Sequence, residues 1–255
     1  DITIAVDDAA NVAALSAAAS QAGVTIGVLV EVDVGMHRCG VQPGEPTLGL
    51  ARQVVEAPGL AFRGLMGYEG HAVMIDDASD RRETAVASLR RLVDTAELLR
   101  GQGIAVDVVS STGTGTFDIG GGFPGVTEIQ VGSYATMDGR YLQVGVPFEP
   151  ALAVLVSVIS TPQPGLAIID AGVKSISTDF GLPQPIELAG AEVKHMSEEH
   201  AWVFLQPGVN LRPADKIKLR PMHGCTTINL HDCYKVVRNG VVEAEWPVAA
   251  RGRSQ

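Results

Sequence analysis

The first 173 residues contain no lysine; the five lysines of the chain are Lys174, Lys194, Lys216, Lys218 and Lys235. A general bias toward arginine and alanine accounts for this blandly, yet it removes lysine chemistry from that whole stretch. Cysteine is scarce too, with Cys39, Cys225 and Cys233 unevenly spaced. This excludes a disulfide framework and fits a reducing, cytoplasmic compartment, where cysteine serves as core residue, nucleophile or ligand. No apolar run is long enough to span a bilayer, so a soluble protein without a membrane partner is expected. The longest candidate, "ALAVLVSVIS" at 151–160, suits a buried strand better. Positive charge is in deficit: the formal net charge of −10 argues against a nucleic-acid partner. There is no repeat of fixed period, no low-complexity tract and no signal-like segment before the first strand. The chain opens on Asp1 already in the middle of a domain pattern, so a chain lacking its N-terminal portion is expected.

What is present is a long chain with ample apolar content. Its 255 residues, 46% hydrophobic, suffice for one large domain or two smaller ones. Strand-like and helix-like segments alternate through the first half. "ITIAV" (2–6) precedes a helix over about 8–21 that begins at aspartates and ends at a glycine. "VTIGVLVEVDV" (24–34) precedes a helix near 46–56, and "FRGLMGY" (62–68) one near 79–102. "AVDVVSS" (105–111) and "TEIQVG" (127–132) complete the series. Nearly all-apolar strands joined by helices predict a parallel sheet covered on both faces. Beyond about residue 145 come short strands with turn signals, "TPQPG" (161–165), "FGLPQP" (180–185) and "RNG" (238–240), the last a hairpin turn. The expected division is 1–144 and 145–255, the second part mostly β.

Polar, glycine-rich residues follow each strand of the first half, on the face where α/β folds bind ligands. "VEVDVGMHRCGV" (30–41) places Glu31 and Asp33 at a strand end and then Arg38, a donor for an anionic oxygen or a plain surface arginine. "GLMGYEGH" (64–71) places Tyr68 where its ring caps the core or lies along a planar ligand. "SSTGTGTFDIGGG" (110–122) and "VGSY" (131–134) are two small-residue turns after successive strands, suited to cupping one phosphate or serving as plain glycine-rich connectors. Neither has the spacing of a P-loop or a dinucleotide fingerprint. "MHGCTTINLHDCY" (222–234) alternates like a strand, which puts His223 and Cys225 on one face as a zinc-type ligand pair. Two ligands suit an open catalytic metal site rather than a closed structural one. His231, Asp232 and Cys233 fall outside that pair and read as structural.

Taken together and in order, these stretches, with "TEIQVGSYATMD", "DAGVKSISTDFG" (170–181) and "WPVAARG" (246–252), resemble the D-threonine aldolase and D-serine dehydratase family, related in fold to alanine racemase. The resemblance covers essentially the whole chain. It implies an α/β fold in which an incomplete (β/α)8 barrel, about its last five β/α units, is followed by a mostly-β C-terminal domain. It further implies pyridoxal 5'-phosphate, a divalent metal (zinc or manganese), a homodimer and a small β-hydroxy D-amino acid as substrate. By the same resemblance Arg38 reaches the cofactor's phenolic oxygen and Tyr68 lies against its ring. Thr112, Gly113, Gly132, Ser133 and Tyr134 hold the phosphate. Gln130 stands where racemases have an arginine at the ring nitrogen. His223 and Cys225 match the metal ligands of the dehydratase branch; aldolases more often carry a carboxylate in place of that cysteine. The reaction this implies is dehydration to a keto acid and ammonia, with retro-aldol cleavage to glycine and an aldehyde, or a non-catalytic cofactor-binding protein, as alternatives. The family's Schiff-base lysine lies on the first barrel strand and has no counterpart here, since Lys174 sits at a different motif position. The polypeptide alone is therefore expected to be inactive and the full-length protein active.

Overall fold

The computed structural model describes residues 2–253. The chain forms two compact units, 1–132 and 133–255. In the first, strands β1 (Thr3–Val6), β2 (Ile26–Glu31), β3 (Leu60–Met66), β4 (Val108–Ser111) and β5 (Glu128–Ile129) pair in that order. Every pairing is parallel. Successive strands thus lie side by side with no reversal, the order in which strands follow one another around a (β/α)8 barrel. A doubly wound sheet would reverse its order at a switch point.

The helices form where the sequence places their caps. α1 (Ala9–Ala22) starts at Asp8, whose carboxylate accepts from the Ala10 and Asn11 amides, and stops at Gly23 in the left-handed region. α2 is Glu45–Glu56, with proline in its first turn. α3 (Ala78–Gly101) starts at Asp77, which accepts from Ser79 and Asp80, and the short α4 (Phe117–Gly120) follows β4. Each such cap stabilises by about 1 kcal/mol. The core packs Val28, Val30, Leu65 and Val109 of the sheet against Leu48 and Val54 of α2 and Leu92, Ala96 and Leu99 of α3.

The second unit holds β6 (Val154–Gln163), β7 (Leu166–Ile169), β8 (Gln184–Ile186), β9 (Ala191–Met196), β10 (Ala201–Leu205) and β11 (Lys216–Arg220). They form one antiparallel sheet in the order β8-β11-β6-β7-β10-β9. Val156, Ile169, Val203 and Leu219 lie in its core. β12 (Cys233–Arg238) and β13 (Val241–Pro247) make a separate hairpin across Asn239 and Gly240, both at positive φ, as the "RNG" turn predicts.

The division falls earlier than the 144/145 boundary expected from the sequence. The reason is the short α5 (Gly139–Gln143), which joins the β unit: the Gly139 amide donates to the Pro221 carbonyl at 2.9 Å. Among the described residues no helix is long and apolar enough to cross a membrane.

Candidate active site

In the first unit the singled-out residues follow the C-terminal ends of the parallel strands. After β2, Asp33 accepts hydrogen bonds from the Gly35 and His37 amides, each at 3.0 Å, and from the His37 ring at 2.7 Å. The His37 amide foremost, then Gly35 and the His37 ring, outweigh the opposing effect of burial and bring the Asp33 carboxyl down to about 2. The tightened turn presents Arg38, whose guanidinium carbon lies 5.5 Å from the centroid of the Tyr68 ring. Burial pushes the Glu31 carboxyl up; Arg38 opposes this and Asp7 reinforces it. Burial likewise pushes His71 down, favouring the neutral ring.

Tyr68 stands beside the small-residue loop after β4. A Cβ on Gly113 would meet the Tyr68 hydroxyl oxygen at 2.8 Å, so glycine is what lets the loop run against this ring. Thr112 is fully buried and holds a left-handed φ of 73°. Its amide donates to Glu69, and its hydroxyl, without a partner among the described residues, abuts Gly120, where a Cβ would lie 1.8 Å away. Thr112 therefore shapes the loop with both groups. Gln130 donates its backbone amide to the Ser111 and Thr112 carbonyls, at 2.8 and 2.9 Å, and its side-chain amide to the Ser110 hydroxyl at 3.0 Å. The sequence reading missed Glu69, fully buried within "GYEGH", which accepts from three donors of this loop. The signal was an acid directly between the strand-end tyrosine and a glycine.

Gly132 ends the first unit, and Ser133 and Tyr134 open the second. The Tyr134 ring sits 5.5 Å from that of Phe148. The Ser133 hydroxyl is 4.0 Å from the Cys225 sulfur.

The strand expected over 222–234 is corrected by the structure. His223 is extended, but Gly224–Ile228 is a short helix, α6, and a strand begins only at Cys233. His223 and Cys225 are therefore not neighbours on one strand face; they flank Gly224 at a helix start. Helix wins because its ends are anchored: Gly224 donates its amide to the buried Asp138 carboxylate at 3.0 Å, and Thr227 accepts from the Ser177 amide at 3.2 Å. His231 bonds to the Ser175 carbonyl and Asp232 pairs with Arg251.

His223 has two partners the sequence did not reveal. Its Nδ1 bonds to the Asp179 carboxylate, and its ring stacks on Phe180 with centroids 4.2 Å apart. An Nδ1 proton facing a carboxylate leaves Nε2 as the ligand atom, the arrangement that fixes metal-binding imidazoles. Burial raises the Asp179 carboxyl, but hydrogen bonds from Ser177, His223 and Thr226 together hold it below its ordinary value. Cys225 is a free, exposed thiol. Among the described residues no three His, Cys, Asp or Glu side chains form a metal-sized group. The donor set is an imidazole and a thiol, fit for an open site at most.

Residues 1–139 match the family described as "Alanine racemase, N-terminal domain", and residues 151–237 the "Putative serine dehydratase domain". The chain is 39% identical to a D-threonine aldolase of Arthrobacter sp, covering 100% of this chain and 68% of the relative. It is 38% identical to a 3-hydroxy-D-aspartate aldolase of Paracoccus denitrificans (strain Pd 1222), covering 99% and 67%. Among solved structures, D-threonine aldolase from Filomicrobium marinum superposes with a TM-score of 0.96 at 36% identity, covering 99% of this chain and 71% of that one. D-threo-3-hydroxyaspartate dehydratase from Delftia sp. HT23 gives 0.85 at 26% identity, covering 96% and 71%. The chain belongs to the D-threonine aldolase and D-serine dehydratase family of alanine racemase-like, pyridoxal-phosphate-dependent lyases.

Proposed function

We propose that this chain serves a lyase that cleaves the Cα–Cβ bond of a β-hydroxy D-amino acid, giving glycine and an aldehyde. The observation that carries this reading is the 38% and 39% identity to two aldolases over essentially the whole chain, against 26% to the dehydratase. The residues of the first unit fit pyridoxal phosphate. The Arg38 guanidinium over Tyr68 sets a cation beside an aromatic face, and the absent Cβ of Gly113 leaves a cradle against that ring. When bound, the cofactor would supply an electron sink for the pair released at Cα. Tyr68 would lie along its ring, Arg38 would donate to its phenolic oxygen, and Gly113, Gly132, Ser133 and Tyr134 would hold its phosphate. Thr112 would act there through the shape of the loop. Gln130, a neutral group, would disfavour a protonated ring nitrogen less than a cationic partner does. His223, oriented by Asp179, and Cys225 would hold a divalent ion, zinc or manganese, whose chemistry is Lewis acidity toward the β-hydroxyl oxygen. Residues 1–173 offer no lysine to the cofactor, and Lys174 is engaged by Glu198 and Glu199 at 3.3 and 3.0 Å. The Schiff-base lysine of the active protein would then lie outside this sequence.

A second reading is elimination of water to a keto acid and ammonia. Cys225 beside His223 favours it, because by family resemblance a thiol at this position marks the dehydratase branch. One assay separates the two. The full-length protein is given D-threonine, D-serine and 3-hydroxy-D-aspartate, and products are quantified with and without chelator. Glycine and aldehyde support cleavage; ammonia and keto acid in their place support elimination. Full activity of a Cys225→Ala variant after chelation would remove the metal from both.

A further inference from the structure

We propose that Glu69 is a positioning residue for the phosphate subsite: its buried carboxylate sets the course of the loop that brings Gly113 to the cofactor. This rests on the reading of 112–113 and 132–134 as the phosphate-holding residues.

Glu69 follows Tyr68 directly, and the two point to different tasks. Tyr68 presents its ring to the Gly113 side of the loop, while Glu69 is 0% exposed. Its Oε2 accepts from the Thr112 amide and the Ser111 hydroxyl, both at 2.9 Å. Its Oε1 accepts from the Thr116 hydroxyl at 2.6 Å. The three donors span the loop from its first residue to the end of its 3₁₀ turn, Thr114–Thr116. Between them Thr112 is held at φ 73°, a region that a β-branched residue enters only when its surroundings impose it. The hydrogen bond from its amide to Glu69 holds it there, together with the one from the Gln130 amide to its carbonyl. The Ser111 hydroxyl shares its one proton between Glu69 and the Gly67 carbonyl, the latter at 2.5 Å, which ties the same loop to the residue after β3. Only an acceptor with two oxygens satisfies donors on both sides of the turn. The residue that carries the ring contact and the residue that fixes the phosphate loop are thus consecutive, so ring and phosphate are held by one strand end.

The test compares pyridoxal phosphate with pyridoxal, which lacks the phosphate, in equilibrium binding to the full-length apoprotein. The wild type is expected to prefer pyridoxal phosphate. Glu69→Ala should cut that preference by about 10-fold or more, the scale of one to two lost hydrogen bonds, with pyridoxal affinity unchanged. Glu69→Gln, which keeps one acceptor for the Thr112 amide, should recover most of it. If Glu69→Ala does not fold, Thr116→Val removes a single donor and carries the same comparison, with a loss of about 3-fold expected. A folded Glu69→Ala or Thr116→Val variant that keeps the full preference overturns the role of Glu69 alone. So does an equal loss of both ligands, the mark of a merely structural pin. A wild type that binds the two ligands equally overturns the phosphate reading itself, and this role with it.

Discussion

At the scale of single residues, the chemistry depends on carboxylates that hold other groups still. Asp33 staples the turn before Arg38, Glu69 the loop after β4, Asp138 the start of α6, and Asp179 the ring of His223. Their effect on stability has a definite sign. Asp33 titrates near 2 in place of its ordinary 3.8, so its stabilisation is complete above the ordinary value and is lost as pH falls through the folded one. Asn is the neutral mimic of the protonated group. The stability gap between wild type and Asp33→Asn, measured by urea unfolding, should therefore be constant near neutral pH and shrink between about pH 4 and pH 2. A gap that does not change with pH would show that the staple is not ionic. Three of these acids, Glu69, Asp138 and Asp179, also mark what the sequence hid. Arg38 and Tyr68 could be picked out because they follow strand ends beside glycines. Asp179 lies 44 positions from His223, and no spacing rule joins them.

At the scale of elements, one backbone position decides how β3 meets its neighbours. The β2–β3 register shifts between Val28 and Leu29, and Gly64 follows the bulge at φ 146°. A Cβ there would lie 1.9 Å from the Val108 carbonyl oxygen of β4. Gly64→Ala should cost about 2 kcal/mol or more of stability, read as a lowered urea midpoint; an unchanged midpoint would mean that the strands can part at no cost. The parallel strands and their helices were readable because apolar runs, aspartate caps and glycine stops agree with one another. The segment after β11 was not. Alternation in "HGCTTIN" satisfies a strand, but the anchoring of Gly224 and Thr227 by Asp138 and Ser177 selects a helix turn. Those anchors are long-range contacts, invisible to a local pattern.

At the scale of the whole molecule, the lysine inventory leads to a direct test. Residues 1–255 incubated with pyridoxal phosphate and reduced with borohydride should carry no stoichiometric pyridoxyl group on any single lysine. Peptide mapping that found one, at Lys174 or elsewhere, would place the Schiff base within this sequence and remove the need for a lysine outside it. The β12–β13 hairpin leaves Val237, Val241, Val242 and Trp246 more than half exposed, and the lysine inventory has no bearing on these.

The carboxylate of Asp138 grips the backbone of Gly224 and leaves its neighbour alone. Cys225 projects into solvent, its sulfur 4.0 Å from the Ser133 hydroxyl. A substitution at position 225 therefore leaves intact the anchor of the helix that carries it. Side-chain chemistry at this exposed position can drift while the fold stays the same.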